Sequence, residues 1–193
     1  MKPDDPEVTV RTMQAQTSTS ANEKVIYQYR LLKRIRRHPL INLVYLGFLA
    51  LGLLVDALWQ GFVGVWLWGI GAVVGWHAIY YVVTAALLYR EKEESGYEQR
   101  YGWLFGWPWC GYLPTLSVPF RHYRWIQTHL LLVGFLTTAA LAAWTPPGAT
   151  IAIGFVHLWW MAPRLFLGYA LKRSAKPGSI ITLTAGDVGL YSP

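Results

Sequence analysis

A single cysteine, Cys110, excludes an internal disulfide and every metal or redox motif built on paired thiols. Acid is scarce as well. Ten Asp and Glu stand against 17 Lys and Arg, and the sequence contains no HExxH, G-x-S-x-G or Walker loop and no cluster of carboxylates within its apolar runs. These gaps set aside the hydrolases and nucleotide-binding enzymes that carry such signatures, so the reading leans away from an enzyme. Charge of either sign is missing altogether from Phe62 to Tyr89, a run of 28 residues. A hydrocarbon core of about 30 Å needs roughly 20 apolar residues of helix, and helix satisfies its own backbone in lipid.

What is present agrees with that run. Only 14% of the 193 residues are charged, against about 25% in soluble domains, while 11 Trp and 12 Tyr supply residues of the membrane interface. The expected fold class is an all-α integral membrane protein of four transmembrane helices arranged as two hairpins. An amphipathic helix precedes them, and a cytoplasmic aromatic segment, interfacial or re-entrant, separates the hairpins. The net charge of +7 then reads as cytoplasmic flanks facing anionic lipid, with no nucleic acid partner.

Residues 1–22 are polar, carry Pro3, Pro6 and a Ser/Thr run, and read as a disordered tail. Over 23–38, Val25, Tyr29, Leu31, Leu32 and Ile35 fall on one side of a helical projection and Arg30, Lys33, Arg34 and Arg37 on the other, the pattern of a basic surface helix. No apolar leader precedes it, so the first span is expected to direct insertion. The transmembrane domain, 39–173, is expected to hold spans at about 40–59, 62–89, 125–144 and 149–171, the first two joined at Gln60 and Gly61. Gly64, Gly71 and Gly75 share a face of the second span and predict close packing of another helix there. Between the hairpins, 97–124 is aromatic but broken by Pro108, Pro114, Pro119 and several glycines, which a straight span does not tolerate. Residues 174–193 alternate like a strand near Ile180–Thr184 and read as a cytoplasmic tail, since an isolated hairpin is marginal.

Six Lys and Arg lie between Lys24 and Arg37, five between Arg90 and Arg124 and three between Lys172 and Lys176, with none at 60–61 or 145–148. That asymmetry predicts a cell-membrane protein with both termini cytoplasmic.

Four residues are polar or ionisable inside the expected spans: Asp56, His77, His157 and Arg164. His77 and His157 lie about 20 and 22 Å from the anchors Arg90 and Lys172 at 1.5 Å per residue. Two level imidazoles are compatible with axial ligation of haem b, although hydrogen bonding between helices is the commoner use and no cofactor is the default expectation. Arg164 is the costliest residue, lying about 12 Å inside Lys172. With Trp160 and His157 on the same face it is a candidate site for a lipid headgroup or other anion, or a brace for carbonyls freed by Pro163. Asp56 is a candidate for a proton path or for simple wetting at the far interface. His122 and His129 are seven apart without a third ligand, so no metal is expected.

The leading functional expectation is an accessory, assembly or interaction subunit working at the cytoplasmic membrane face, with membrane lipids and a protein partner or second copy as its contacts. A small oligomeric transporter or channel, a haem-binding subunit and a lipid-modifying enzyme are the alternatives.

Overall fold

The computed structural model describes residues 29–36, 38–90, 100–106, 108–184 and 186–192, and only the backbone at 60, 62, 63 and 65–67. The expected tail 1–22, the first part of the expected surface helix and the connector 91–99 lie outside the described residues. Strand β1 (Arg30–Arg36) leads into helix α1 (Pro39–Gly64), which is interrupted at Gly61. A π-helical stretch, Val65–Ile70, then enters α2 (Gly71–Arg90). Strands β2 (Tyr101–Leu104), β3 (Gly111–Pro114) and β4 (Val118–Pro119) precede α3 (Phe120–Leu141) and α4 (Pro147–Lys172). The described chain closes with β5 (Ile180–Leu183) and β6 (Asp187–Ser192).

Contacts along the helices give their directions. Tyr45 and Gly52 of α1 meet Trp159 and Phe155 of α4, so these two run antiparallel. Trp76 and Tyr80 of α2 meet Ile153 and His157 in rising order, so α2 and α4 run parallel. Reversal between α1 and α2 falls at Gly61, whose φ of 77° is a backbone conformation that a β-carbon disfavours.

Three helical segments are long and apolar enough to cross a membrane, by length and composition: Pro39–Trp59, Trp68–Arg90 and Pro147–Lys172. α4 is the central one, with 50% of its apolar window buried against 0% for α1. The third expected span, 125–144, does not reach that standard. It belongs to α3, whose first two turns carry Arg121, His122, Arg124 and Gln127.

The all-α expectation is overturned by two antiparallel sheets. A four-stranded sheet in the order β1-β6-β5-β4 and the β2-β3 hairpin both sit where α1 and α3 begin and α2 and α4 end. The described part of the expected basic surface helix is β1, paired with β6 from Arg30↔Ser192 to Arg36↔Asp187. A bulge between Leu31 and Lys33 explains the misreading: one extra residue puts Leu32 and Ile35, three apart, on the same core-facing side, which imitates a helical period. The aromatic segment likewise holds a β-hairpin, with Trp103 opposite Tyr112. The expected tail supplies β5 and β6, which escape the weakness of a lone hairpin by pairing on both sides with β1 and β4.

The sheet and the helix ends share one core. Leu113, Val118, Leu167, Leu171, Ile181 and Leu190 are all fully buried. At about 1.5–3 kcal/mol for each such side chain, this packing holds strands that local propensity would not. Lys33 adds a polar link, donating from Nζ to the carbonyl of Ala170 at 2.9 Å, where the last carbonyls of α4 attract a cation.

The turn from β5 to β6 is tied by the Thr184 hydroxyl, which donates to the Asp187 carboxylate at 2.6 Å, and Asp187 also pairs with Arg34 of β1. The Thr184 hydrogen bond, then the Arg34 guanidinium, hold the Asp187 carboxyl below its ordinary value of 3.8. A depressed folded-state value means that the stabilisation is complete above 3.8 and is lost as the pH falls toward the lowered value. Lowering the pH from 7 to 5 should therefore leave the protection of β1 and β6 amides, taken relative to their intrinsic exchange rates, unchanged. Below 3.8 that protection should fall in the wild type and not in Asp187→Asn, with an energetic effect under about 1 kcal/mol because the pair is exposed.

Candidate functional site

α4 presents His157, Trp160, Met161 and Arg164 to the interior, and all four are buried. The pattern follows from helical spacing, with offsets of three, four and seven residues on one face. α2 answers with Trp76, Tyr80 and Thr84, α1 with Tyr45, and α3 with Tyr123 and Gly134.

His157 is fully enclosed. Its Nδ1 is hydrogen-bonded to the Tyr80 hydroxyl at 2.6 Å, Trp76 lies 4.7 Å away between ring centroids, and Phe135 meets it edge-on at 5.6 Å. On the remaining side is Gly134, whose missing side chain makes the room: a β-carbon there would overlap the imidazole. His77 donates from Nδ1 to the carbonyl of Val73 at 2.7 Å, and its ring meets Trp160 edge-on at 4.3 Å. Both imidazoles are thus packed against tryptophans, and axial ligation of a porphyrin would require displacing Trp76 and Trp160. These residues do not fit haem.

Arg164 is 1% exposed and sits where the bundle meets the β2-β3 hairpin. Its Nη2 donates to the carbonyl of Cys110 at 2.7 Å, and its guanidinium carbon lies 5.4 Å from the centre of the Tyr80 ring. The next residue, Gly111, has φ of 116°, and a β-carbon on it would come within 2.5 Å of Nη2. Glycine is needed there both for the backbone conformation and for the approach of the cation. Arg164 Nη1 has no hydrogen-bond partner among the described residues, and Arg164 forms no ion pair with them. Among the described residues, one neutral acceptor, the Cys110 carbonyl, and the Tyr80 face meet the charge.

The carbonyls freed by Pro163 are not braced by Arg164. Proline lacks the N–H that would bond to Trp159, four residues back, and the Tyr45 hydroxyl donates to that carbonyl instead at 3.0 Å. Trp159 returns the bond from Nε1 to the Tyr45 carbonyl at 3.0 Å, with the two rings stacked at 4.3 Å.

The structure thus gathers His77, His157, Trp160 and Arg164 into one aromatic core and leaves Asp56 out of it. Asp56 is half-buried on α1, about 6 Å beyond Gly52 at 1.5 Å per residue, toward the far end of α4 from His157. The glycine face also differs from expectation. Gly71 and Gly75 have open space where a side chain would be, and they border a cavity of about 230 Å³ between α2, α3 and α4. The buried face of α2 runs through Ala72, Trp76, Tyr80, Thr84 and Leu88. Tyr45, Tyr80, Tyr123 and Gly134 escaped the sequence reading, because a tyrosine or glycine in an apolar run does not announce its partner.

The fold and this core define a helical bundle of membrane-spanning composition, closed at one end by β-structure. No protein-family model, curated protein or solved structure matches the sequence.

Proposed function

We propose that the chain is a non-enzymatic, multi-pass protein of the cell membrane that serves as an accessory or interaction subunit, with its β-cap and both termini on the cytoplasmic side. The observation that supports this is the coincidence of charge with folded structure. Arg30, Lys33, Arg34, Arg36, Arg121, Arg124, Lys172, Arg173 and Lys176 all belong to the capped end, while the α3-α4 turn at 142–146 has no charge. Positive charge retained on one flank fixes orientation during insertion. β1, at the edge of the sheet with Arg30, Leu31, Arg34 and Arg36 exposed, is the surface that a protein partner would meet.

Two arms test the proposal. Reporter fusions at Gly148 and Pro193 are expected to read outside and inside; a C-terminal reporter found outside would reverse the orientation. A photo-crosslinking residue at Leu31, in cells, is expected to give discrete protein adducts. Lipid adducts alone would turn the reading away from a protein partner.

A further inference from the structure

Beside the cap, between the start of α3 and the segment that follows α4, lies an open groove of about 820 Å³. Arg121, Arg124, Trp125 and Thr128 form one wall, and Lys172 and Lys176 form the other. Four cations thus face one space with no Asp or Glu lining it among the described residues. Arg124 is further ordered by lying 5.9 Å from the centre of the Phe120 ring. Like charges that face one space repel unless an anion joins them.

The same face of α3 changes character with depth. After Arg121 and Arg124 come Trp125 and Thr128, then Leu132, Phe135 and Leu136, exposed by 57%, 49% and 62%. From Arg121 to Leu132 is about 16 Å at 1.5 Å per residue, which carries the stripe from headgroup level into hydrocarbon. Trp125 is held in place at the intermediate level by His129, 4.3 Å away between ring centroids. A small soluble anion would use only the cationic end of this stripe. A two-tailed lipid uses all of it.

From this gradient we infer that the groove binds one glycerophospholipid with a net-negative headgroup, its phosphate among Arg121, Arg124, Lys172 and Lys176 and its chains along Leu132 and Leu136. The inference rests on the membrane reading above but not on orientation, so it is tested on purified full-length protein in nonionic detergent, where a failed topology assignment has no effect.

Native mass spectrometry with added phosphatidylglycerol should show a saturable first adduct, at least about tenfold tighter than with phosphatidylcholine of the same chains. Each cation near an anionic lipid contributes about fivefold, so Arg121→Gln/Lys172→Gln should weaken that adduct about 25-fold. Arg124→Gln/Lys176→Gln is the second pair, in case the first does not fold. Arg30→Gln/Arg36→Gln, which removes equal charge from β1, should change binding less than about twofold. Equal losses in groove and β1 variants would mean diffuse attraction and would overturn the site. So would equal affinity for the two lipids. Displacement of the lipid by inorganic phosphate at matched concentration would reassign the groove to a free anion.

Discussion

Gly134→Ala should lower the stability of the protein in detergent by on the order of 3 kcal/mol, a large effect for one methyl group. The added carbon overlaps the His157 ring, and that ring has nowhere to go: it is 0% exposed and hemmed in by Trp76 and Phe135. Either α3 moves away from α4, which opens the buried surroundings of His157, or the imidazole turns and breaks its bond to Tyr80. Overpacking costs about 1–3 kcal/mol and a buried polar group left unpaired costs a similar amount. Gly71→Ala is the control. A side chain there meets open space, so the gain in helix propensity should leave stability unchanged or raise it by up to about 1 kcal/mol. Adding His157→Ala to Gly134→Ala should cost much less than the sum of the two changes, because the steric conflict is then gone. Thermal melts of the wild type, Gly134→Ala, His157→Ala, the double variant and Gly71→Ala decide the matter. An additive double variant would mean that the ring is not what excludes the methyl.

That contrast shows where the sequence is readable and where it is not. The apolar, charge-poor runs of α1, α2 and α4 identify membrane-spanning composition directly, because lipid imposes a length and a scarcity of charge that need no partner to be recognised. Rotation about a helix axis is another matter. Gly71 and Gly75 look like a packing face by spacing, yet Trp76, Tyr80 and Thr84 face inward, because the bundle is built around aromatic hydrogen bonding to α4. The β-cap is illegible for a different reason. β4 has two residues, β1 is bulged, and β1 pairs with a strand at the opposite end of the chain, so no local window contains the interaction that makes either a strand. The cost of Arg164 was plain from its position. Its acceptor, a carbonyl in a hairpin 54 residues away, was not.

Arg164→Ala should cost about 3–5 kcal/mol and should loosen the β2-β3 hairpin before it loosens anything else. Three losses act together: the Cys110 carbonyl loses its donor, the Tyr80 ring loses the cation over its face, and a cavity opens where a fully buried side chain stood. One gain opposes them, since the charge no longer has to be held out of water. Arg164→Met separates these effects. It refills the volume and removes the charge but leaves the carbonyl unpaired, so its cost should fall to about 1–2 kcal/mol. Hydrogen exchange locates the damage: amides of β2 and β3 should exchange faster in Arg164→Ala, while those of α1 change less, because Arg164 donates its hydrogen bond to the hairpin at Cys110 and α1 is tied to α4 by the Tyr45–Trp159 hydrogen bonds and ring stack. Binding of phosphatidylglycerol should persist in Arg164→Met, because a guanidinium only 1% exposed and enclosed by Gly111 and Tyr80 cannot also meet a headgroup in the α3 groove. A variant that folds as the wild type does but loses the lipid would move the anion site from the groove to Arg164.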